Sequence, residues 1–343
     1  MCRTYNGFDI NGLGQLKDGR GNLAPVTIIL PTIAMLALEK VYCKDKNKYD
    51  TVDYTAIIEE AHKNTEVFDV FMKLLDKKIH EAKDMLIERY EWMCSQSPNS
   101  AKFMWENNSM AGYVPEEGIR SALKHGTLVI GQIALAETLQ ILIGTDHSTE
   151  RGMEFAKKIE GLYKQRCAEF KKEYSLNFGV YYTPAENLCH TSLKKFRTKY
   201  GVLKNISDRD YFTNSIHVPV WVDVDPFQKI DIESELTGFS NAGCITYVEL
   251  PTSTRHNIDA LEKILDYAMD KDIPYQAFNF DLDQCENEEC GYRGEINDVC
   301  PKCGCTHISH LKRVTGYLTG DYKTAFNKGK QNEVENRVKH IKH

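Results

Sequence analysis

The stretch VTIILPTIAMLAL, residues 26–38, is the part of the sequence that decides how the fold is interpreted. Its first half is apolar and rich in β-branched residues, which favours a buried strand. Pro31 ends such a strand and fits the first turn of a helix. The Gly-rich residues 1–25 predict a long loop of tight turns before it. A strand that passes directly into a helix is typical of α/β proteins.

Working outward, the apolar periodicity predicts helices and short strands in alternation. Helices are expected over 52–94, from Pro115 to Ile143, over 149–174, near Leu193 and over 258–269. The second of these contains LVIGQIALAETLQILI, which is apolar almost all round and indicates a buried helix. Strand-like runs are FGVYYT (178–183), HVPVWVDV (217–224), CITYVEL (244–250) and YQAFNF (275–280). The fold class predicted from these patterns is α/β.

The composition excludes several classes of protein. The chain has 343 residues, 43 Lys+Arg against 49 Asp+Glu, and a formal net charge of −6. This acidic balance argues against a protein whose main role is binding nucleic acid. The longest apolar run is too short to cross a bilayer and contains Pro31, and no signal peptide is recognisable. We therefore expect a cytoplasmic protein with no nucleic-acid or membrane partner.

Five of the eleven cysteines lie between Cys285 and Cys305, in QCENEECGYRGEINDVCPKCGC. Thiolates on two short turns bind structural zinc, and Cys285, Cys290, Cys300 and Cys303 supply four ligands. Two disulfides are the alternative, which the lack of a secretory signal disfavours, and Cys305 is a fifth candidate ligand. Four thiolates leave no open position for water or substrate, so the predicted metal is a structural Zn²⁺.

The segment that holds these cysteines is strongly acidic. Seven acidic residues and a single basic one, Arg293, lie between Asp281 and Cys300. Because these charges repel phosphate, a ribbon of this composition is not expected to bind nucleic acid. We expect it to position the residues that follow it.

Several motifs, taken together, resemble the C-terminal part of the class III anaerobic ribonucleoside-triphosphate reductases. They are CRTYNG (2–7), GQLKDGRGN (14–22), PVTIILPT (25–32), YYTPAEN (181–187), the cysteine ribbon, RVTGYL (313–318) and NKGKQNEVENRVKH (327–340). The motifs occur in the family's order and span nearly the whole chain. RVxGY is shared with other glycyl radical enzymes, whereas the ribbon and the GRGN loop indicate the reductase.

The resemblance implies a fold and three domains. Residues 1–280 would form the C-terminal half of a ten-stranded β/α barrel of the glycyl radical enzyme type, with the thiyl-cysteine loop at its start. Residues 281–311 would form the zinc ribbon. Residues 312–343 would form the glycyl radical loop and a C-terminal tail.

The resemblance also implies three catalytic residues. Gly316 would carry the glycyl radical, and a side chain there would crowd the planar radical centre. A separate radical-SAM activase with an iron–sulfur cluster would install the radical. Cys2 matches the thiyl-radical cysteine, although an ordinary exposed terminal thiol is the alternative. Asn22 matches the asparagine that binds the ribose hydroxyls, although an Asn in a Gly-rich turn needs no such role.

YYTPAEN adds candidates for binding the substrate. Amides at a helix start, with the Thr183 hydroxyl, are expected to hold the triphosphate. The candidates are Thr183, Pro184, Ala185, Glu186 and Asn187. Glu186 is either a catalytic carboxylate or a helix cap. The remaining cysteines, at 43, 94, 167, 189 and 244, are expected to be buried small side chains, with Cys189 the one to consider as a second thiol.

The expected partners also follow from the resemblance. They are a ribonucleoside triphosphate, the activase, formate or a thioredoxin-like protein as reductant, and a second copy in a homodimer of the complete enzyme. The family's chains are about twice as long, so a separate N-terminal reductase chain is expected to complement this one. Two alternatives stay open: another glycyl radical enzyme of the formate-lyase type, and a non-catalytic remnant built around the zinc ribbon.

Overall fold

The computed structural model describes residues 4–43, 52–314 and 317–341, and these residues form two compact units. The first unit comprises the described residues up to Thr183 together with Gly238–Cys244. The second comprises Pro184–Thr237 and the described residues from Ile245 onward. Within the described ranges, no helix has the length and apolar character needed to span a membrane.

The first unit is built on a three-stranded parallel sheet of order β1-β2-β3. Its strands are β1 Asn22–Ile29, β2 Thr127–Ile133 and β3 Asn177–Tyr182. Its helices are α1 Leu30–Tyr42, α2 Tyr54–Ala61, α3 Thr65–Cys94, α4 Lys102–Glu106, α5 Arg120–Leu123, α6 Leu135–Ile143 and α7 Glu150–Tyr174. Helices α1, α3, α6 and α7 pack together and cover the sheet, which explains why β2 and β3 are buried throughout.

The strand-to-helix transition predicted at Pro31 is confirmed. β1 ends at Ile29 and α1 begins at Leu30, with Pro31 in the first turn, where its missing N–H costs nothing. β1 also begins four residues earlier than predicted, because Asn22 and Leu23 already pair with β2.

Two predicted helices are corrected by the structure. The segment from Pro115 to Ile143 is not one helix, because residues 127–133 form the central strand β2 and only Leu135–Ile143 is helical after it. A strand buried on both faces has a continuous apolar run that periodicity cannot distinguish from a buried helix. The helix expected over 52–94 is two helices, α2 and α3. Asn64 is the N-cap of α3, because its side chain accepts a hydrogen bond from the Glu66 N–H.

The second unit contains a two-stranded parallel sheet and several short antiparallel ladders. Its helices are α8 Asn187–Tyr200, α9 Pro226–Thr237, α10 Ile258–Asp270, α11 Tyr322–Ala325 and α12 Lys328–Glu335. Its strands are β4 Thr246–Glu249, β5 Gln276–Asn279, β6 Asp283–Cys285, β7 Arg293–Gly294, β8 Ile308–Ser309, β9 Leu311–Val314 and β10 Tyr317–Asp321. β4 pairs with β5 in parallel, and α9 and α10 pack beside them around Ile230, Val248 and Ile264.

The strand-like run HVPVWVDV is a further correction, because residues 217–224 form no strand. Pro219 removes one backbone donor from the run, and the Val222 N–H turns back to the Pro219 carbonyl. The Val220 carbonyl instead accepts from the Val338 N–H, so this segment supports the C-terminal residues.

Candidate functional site

The four cysteines predicted as metal ligands lie together in the second unit. The sulfur atoms of Cys285, Cys290, Cys300 and Cys303 all lie within 4.8 Å of one another. The Sγ–Sγ distances are 3.6 Å for Cys285–Cys303 and 3.8 Å for Cys290–Cys300. A tetrahedron of Zn–S bonds of about 2.3 Å places the sulfurs about 3.8 Å apart, whereas a disulfide requires about 2 Å. The donor set therefore fits a zinc ion and does not form the two disulfides considered as the alternative.

The backbone around the cluster turns sharply at two glycines and donates hydrogen bonds to Cys300. Gly291 and Gly304, each directly after the second cysteine of a pair, have φ angles of 54° and 73°, which side chains rarely adopt. Burial acts to raise the pKa of Cys300, but the backbone N–H groups of Lys302 and Cys303 outweigh it and lower that pKa to about 7. Cys305 lies outside the four-sulfur group, and its sulfur accepts from the His307 N–H at 3.3 Å.

A charged network links the ribbon strand β6 to strand β9. The Lys312 ammonium contacts Asp281 at 2.9 Å and Asp283 at 3.2 Å, and the Lys339 ammonium contacts Asp281 at 2.7 Å. Burial acts to raise the pKa of Asp281, but the two lysines lower it overall. The Asp283 carboxylate also accepts from the Ile296 N–H inside the ribbon. The acidic residues at 281 and 283 are thus neutralised by the segment that follows the ribbon.

The predicted radical residue Gly316 lies outside the described residues, as does Thr315. The strands on either side of them are described. β9 and β10 form an antiparallel ladder in which Val314 pairs with Tyr317 and Leu311 pairs with Asp321.

Cys2 also lies outside the described residues, but the chain that follows it is held at defined points. The carbonyl of Ala242 accepts both the Tyr5 N–H at 3.2 Å and the Asn22 Nδ2 at 2.6 Å. Thr4 forms an isolated bridge with the neighbouring Gly243. One short segment, 242–243, therefore brings the residues just after Cys2 next to Asn22.

The Gly-rich loop of residues 4–21 is anchored by buried polar contacts. The Asp9 carboxylate contacts His125 Nδ1 at 2.8 Å and accepts from Asn177 Nδ2 at 2.6 Å. The Arg20 guanidinium donates to the carbonyls of His125, Gly7 and Leu16. Long loops are normally mobile, and these contacts restrict the conformations of this one. Asn22, at the start of β1, is therefore held in a fixed position.

Asn22 has one free polar atom. Its Nδ2 is used by Ala242, whereas its buried Oδ1 has no hydrogen-bond partner among the residues described. A buried carbonyl oxygen without a partner costs free energy unless a ligand or water bonds it. Asn22 is thus equipped to accept a hydrogen bond from a hydroxyl.

The YYTPAEN residues have different environments. Thr183 follows β3, and its hydroxyl lies 2.9 Å from the Thr27 hydroxyl. Asn22 pairs with Thr127 of β2, and Thr27 pairs with Gly131, so Asn22 lies roughly 13 Å from Thr27 along the sheet. The hydroxyl of Thr183 and the amide of Asn22 thus lie towards opposite ends of the sheet.

The last four of these residues belong to the second unit. Glu186 precedes α8 as its N-cap residue, but its side chain makes no capping hydrogen bond, so the capping alternative is wrong. Ala185 is buried, and Asn187 accepts a hydrogen bond from the Asn327 side chain. Pro184 and Glu186 are half-buried.

The remaining cysteines are mostly buried as predicted. Cys43, Cys167, Cys189 and Cys244 are buried, and Cys94 is half-buried. Burial raises the pKa of the Cys167 thiol to about 12, which makes it unreactive at neutral pH. Cys189 is completely buried, and its Sγ contacts the Ala185 carbonyl at 3.8 Å.

Sequence reasoning missed a set of charged residues in the second unit. Glu233 is fully buried and contacts Lys229 at 2.6 Å, and Arg337 contacts Glu249 at 3.3 Å. Lys229, Glu249 and Arg337 line a pocket together with Asn214. Nothing in the local sequence marked these residues as buried, because their partners are distant in sequence.

These features define a class of protein: an α/β protein with parallel strands and a cluster of four cysteines able to hold a metal ion, followed by an antiparallel ladder that borders a glycine. The sequence model of the family described as anaerobic ribonucleoside-triphosphate reductase matches residues 1–340. The chain therefore belongs to the anaerobic ribonucleoside-triphosphate reductase family.

Individual relatives agree with this assignment. The chain is 31% identical to the anaerobic ribonucleoside-triphosphate reductase of Escherichia coli K12, over 99% of this chain and 45% of that protein. It is 29% identical to the enterobacteria phage T4 reductase, over 99% of this chain and 52% of that protein. The chain thus spans about half the length of the curated relatives it matches.

Solved structures show a similar fold. The anaerobic ribonucleotide reductase of Thermotoga maritima with dATP bound in its specificity site matches with a TM-score of 0.63 and 20% identity, over 94% of this chain and 47% of that one. The same protein with glycerol in its active site matches with a TM-score of 0.62 and 20% identity, over 97% of this chain and 46% of that one. The α/β fold is therefore that of an anaerobic ribonucleotide reductase.

Proposed function

We propose that this chain is the radical-bearing part of an anaerobic ribonucleoside-triphosphate reductase, which converts ribonucleoside triphosphates to deoxyribonucleoside triphosphates for DNA synthesis. The observation that carries the proposal is the Ala242 carbonyl, which accepts from both Tyr5 and Asn22. This contact ties the residues adjacent to Cys2 to an asparagine whose buried carbonyl oxygen is free to bind a hydroxyl. Family membership supports the same chemistry.

The proposed fold is half of a ten-stranded β/α barrel over residues 1–280. The described residues contain five strands in parallel sheets, three in the first unit and two in the second, which is half of ten. A zinc ribbon over 281–311 and a glycyl radical loop with its tail over 312–343 complete the proposed arrangement. The four-thiolate cluster and the β9–β10 ladder support the last two domains.

The proposed reaction uses three residues of this chain. Gly316 carries the stored radical and generates a thiyl radical on Cys2, which abstracts the 3′-hydrogen of the ribose. Asn22 binds the ribose hydroxyls, and the 2′-hydroxyl leaves as water. Two electrons and two protons from the reductant, together with the returned 3′-hydrogen, complete the deoxyribose. Glycine suits the stored radical because no side chain crowds its planar centre.

Binding of the triphosphate is assigned to residues 183–187. The start of α8 presents backbone N–H groups, and the helix dipole favours an anion there. Thr183 would add its hydroxyl, and Glu186 is free of any capping role to act near the substrate.

Zn²⁺ is the proposed metal, held by Cys285, Cys290, Cys300 and Cys303. It would crosslink the two turns of the ribbon and supply folding free energy, with no open position for chemistry. Cysteines that remain free thiols support a reducing compartment, and we therefore assign the activity to an anaerobic cytoplasm.

The proposed partners are those of a complete reductase. A radical-SAM activase would install the radical on Gly316, and formate or a thioredoxin-like protein would supply the electrons. Because the relatives are about twice as long, the full activity is expected to need the residues that correspond to their other half, supplied by an N-terminal reductase chain. The complete enzyme is proposed to be a homodimer.

Anaerobic activation followed by electron paramagnetic resonance tests the proposal. The assembled protein, with activase and the N-terminal half supplied, should show a glycine-centred doublet, and oxygen should then cleave the chain at Gly316. Gly316→Ala should abolish both signals, whereas Gly320→Ala, the matched control in the same segment, should retain them. CTP should be reduced and pyruvate left unchanged. Absence of the doublet and of cleavage in the wild-type assembly would instead favour a non-catalytic role.

A further inference from the structure

Arg337 joins three separate parts of the second unit. Its Nη1 donates to the Arg313 carbonyl at 2.6 Å and lies 3.3 Å from Glu249 Oε1. Its Nη2 lies 3.7 Å from Glu333 Oε1. The guanidinium thus connects strand β9, the end of strand β4 and helix α12.

Each group that holds the guanidinium is itself fixed. Glu249 and Glu333 are 8% and 5% exposed. Asn279, at the end of β5, donates to Glu249 Oε1 at 2.7 Å. The Glu249 N–H donates to His340 Nδ1 at 2.9 Å, and the Glu249 carbonyl accepts from the His340 N–H at 2.7 Å. The Glu249 carboxylate is therefore a rigid support for Arg337.

The contact with Arg313 lies close to the predicted radical residue. Arg313 is three residues before Gly316, and its partner across the ladder is Leu318. The Arg313 guanidinium lies over the Tyr247 ring of β4 at 5.3 Å. Strand β9 is therefore attached to β4 twice, through the side chain of Arg313 and, by way of Arg337, through its carbonyl.

The chemistry of this junction requires arginine. A guanidinium presents five N–H donors in a planar fork, so it can bond a carbonyl and two carboxylates in different directions at once. A lysine ammonium is a compact point charge at the end of a flexible chain. Lysine would keep the charge balance with Glu249 and Glu333 but would not hold the carbonyl in a fixed direction.

We propose that Arg337, supported by Glu249, is a positioning residue that fixes the Arg313 carbonyl and thereby the strand that leads into Gly316. The proposal deepens the proposed function, since it assumes that Gly316 carries the radical. The glycine must occupy a defined position both when the activase installs the radical and when the radical passes to the cysteine. A strand without a fixed position would impair both steps.

Hydrogen exchange on the full 343-residue chain, with zinc bound, tests the positioning without any activity assay. In Arg337→Lys, backbone amides of Leu311–Val314 and Tyr317–Asp321 should exchange about tenfold faster than in the wild type, because a charged hydrogen bond is weakened. The matched control is Arg166→Lys in α7, where a guanidinium also binds a carboxylate, Asp76, at 2.6 and 3.0 Å. It should leave exchange in this ladder unchanged.

Two further variants control for misfolding. Arg337→Gln leaves the buried Glu249 carboxylate without its cation, whereas Glu333 keeps Lys330 at 2.6 Å. The double variant Arg337→Gln/Glu249→Gln, which removes that uncompensated charge, should therefore be used beside it. The double variant should retain zinc and the protection of α8 while the ladder still exchanges faster. Unchanged ladder exchange in both Arg337→Lys and the double variant would overturn the proposal.

Radical yield connects the positioning to function. In the assembled and activated protein, Arg337→Lys should give a severalfold smaller doublet and less oxygen cleavage at Gly316 than Arg166→Lys. An equal yield in the two variants would contradict the proposed role. If the wild type itself gives no doublet, the proposed function fails, while the exchange data still decide whether Arg337 fixes the strand.

Discussion

Glu160 shows how strongly the interior of the first unit acts on a single residue. It is fully buried, and Gln132 Nε2 donates to its carboxyl at 2.8 Å. Burial raises the pKa of Glu160 to about 8, although hydrogen bonds from Gln132 and Tyr182 act in the opposite direction. The folded protein therefore keeps this carboxyl protonated at neutral pH.

The raised pKa makes stability depend on pH. Between about pH 4.5 and 8 the unfolded chain loses this proton while the folded chain keeps it, so Glu160 makes folding less favourable as pH rises. Glu160→Gln removes this effect of pH. The variant's unfolding free energy should therefore exceed that of the wild type by an amount that increases by about 1.4 kcal/mol per pH unit, a few kcal/mol in total between pH 5 and pH 8. Hydrogen exchange in β2 and α7 during urea titration measures this for the first unit.

Glu154→Gln is the control for this prediction. Glu154 lies on the same helix but is exposed, where it pairs with Lys158 at 2.7 Å. Its substitution should show no comparable gain at pH 8. A gain for Glu160→Gln that is the same at pH 5 and pH 8 would mean that Glu160 is not held protonated.

At the level of individual residues, sequence reasoning worked where the chemistry is local. The four zinc-type cysteines were identifiable because each pair lies within a few residues and is followed by a glycine. Glu160, Arg337 and Glu249 were not identifiable, because their roles depend on partners that the fold brings from distant positions. Charged residues are normally solvated, so nothing in the local sequence marks these three as buried.

Gly131 in strand β2 illustrates a requirement of a whole element. A Cβ at this position would lie 2.1 Å from the Thr183 hydroxyl and 2.4 Å from the Tyr181 carbonyl. Gly131 pairs with Thr27 on one side and Tyr181 on the other, so the surrounding backbone cannot easily yield. Glycine is needed here because the strands and the residue after β3 approach so closely.

Gly131→Ala should therefore destabilise the first unit by about 1–3 kcal/mol, the usual cost of overpacking. The clash should also displace the Thr183 hydroxyl from Thr27, so we expect a higher KM for the ribonucleotide in the assembled reductase. Urea titration of β1–β3 protection and steady-state kinetics measure the two effects.

Gly161→Ala in α7, where a Cβ meets only Phe239 at 3.8 Å, should instead stabilise the first unit by up to about 1 kcal/mol. Equal effects of the two substitutions would argue against the clash.

The elements that were predicted wrongly from the sequence have two different physical causes. β2 was interpreted as part of a helix because a strand covered on both faces has no alternating pattern. The isolated Gly131 was the available signal, since glycine within a strand indicates close approach of another backbone. The strand predicted for HVPVWVDV is wrong for the opposite reason. Its β-branched residues favour a strand, but Pro219 and the contacts with the C-terminal segment prevent one.

At the scale of the whole molecule, the two compact units should respond differently to loss of the metal. Cys303→Ser removes one of the four proposed ligands, and zinc content should fall well below one per chain because structural sites need all four. Hydrogen exchange should increase in β6–β8 and in the β9–β10 ladder, while α1, α3 and α7 of the first unit stay protected. Metal analysis and exchange on the same samples provide the measurement.

Cys305→Ser is the matched control, since Cys305 lies near the cluster but outside the four-sulfur group. It should keep one zinc per chain and wild-type exchange in the ribbon. Loss of zinc in Cys305→Ser with retention in Cys303→Ser would show that Cys305 is the fourth ligand.

The sequence by itself determined the α/β class, the four-cysteine cluster, the strand-to-helix transition at Pro31 and the family, because each depends on residues that are close together in the chain. Tertiary structure alone decided the contacts within each unit between residues that are distant in sequence. It joined Asn22 and Tyr5 through the Ala242 carbonyl, kept Glu160 protonated and linked Arg337 to the Arg313 carbonyl. These are interactions between groups that are far apart in sequence, and their strength comes from burial, which local patterns do not encode.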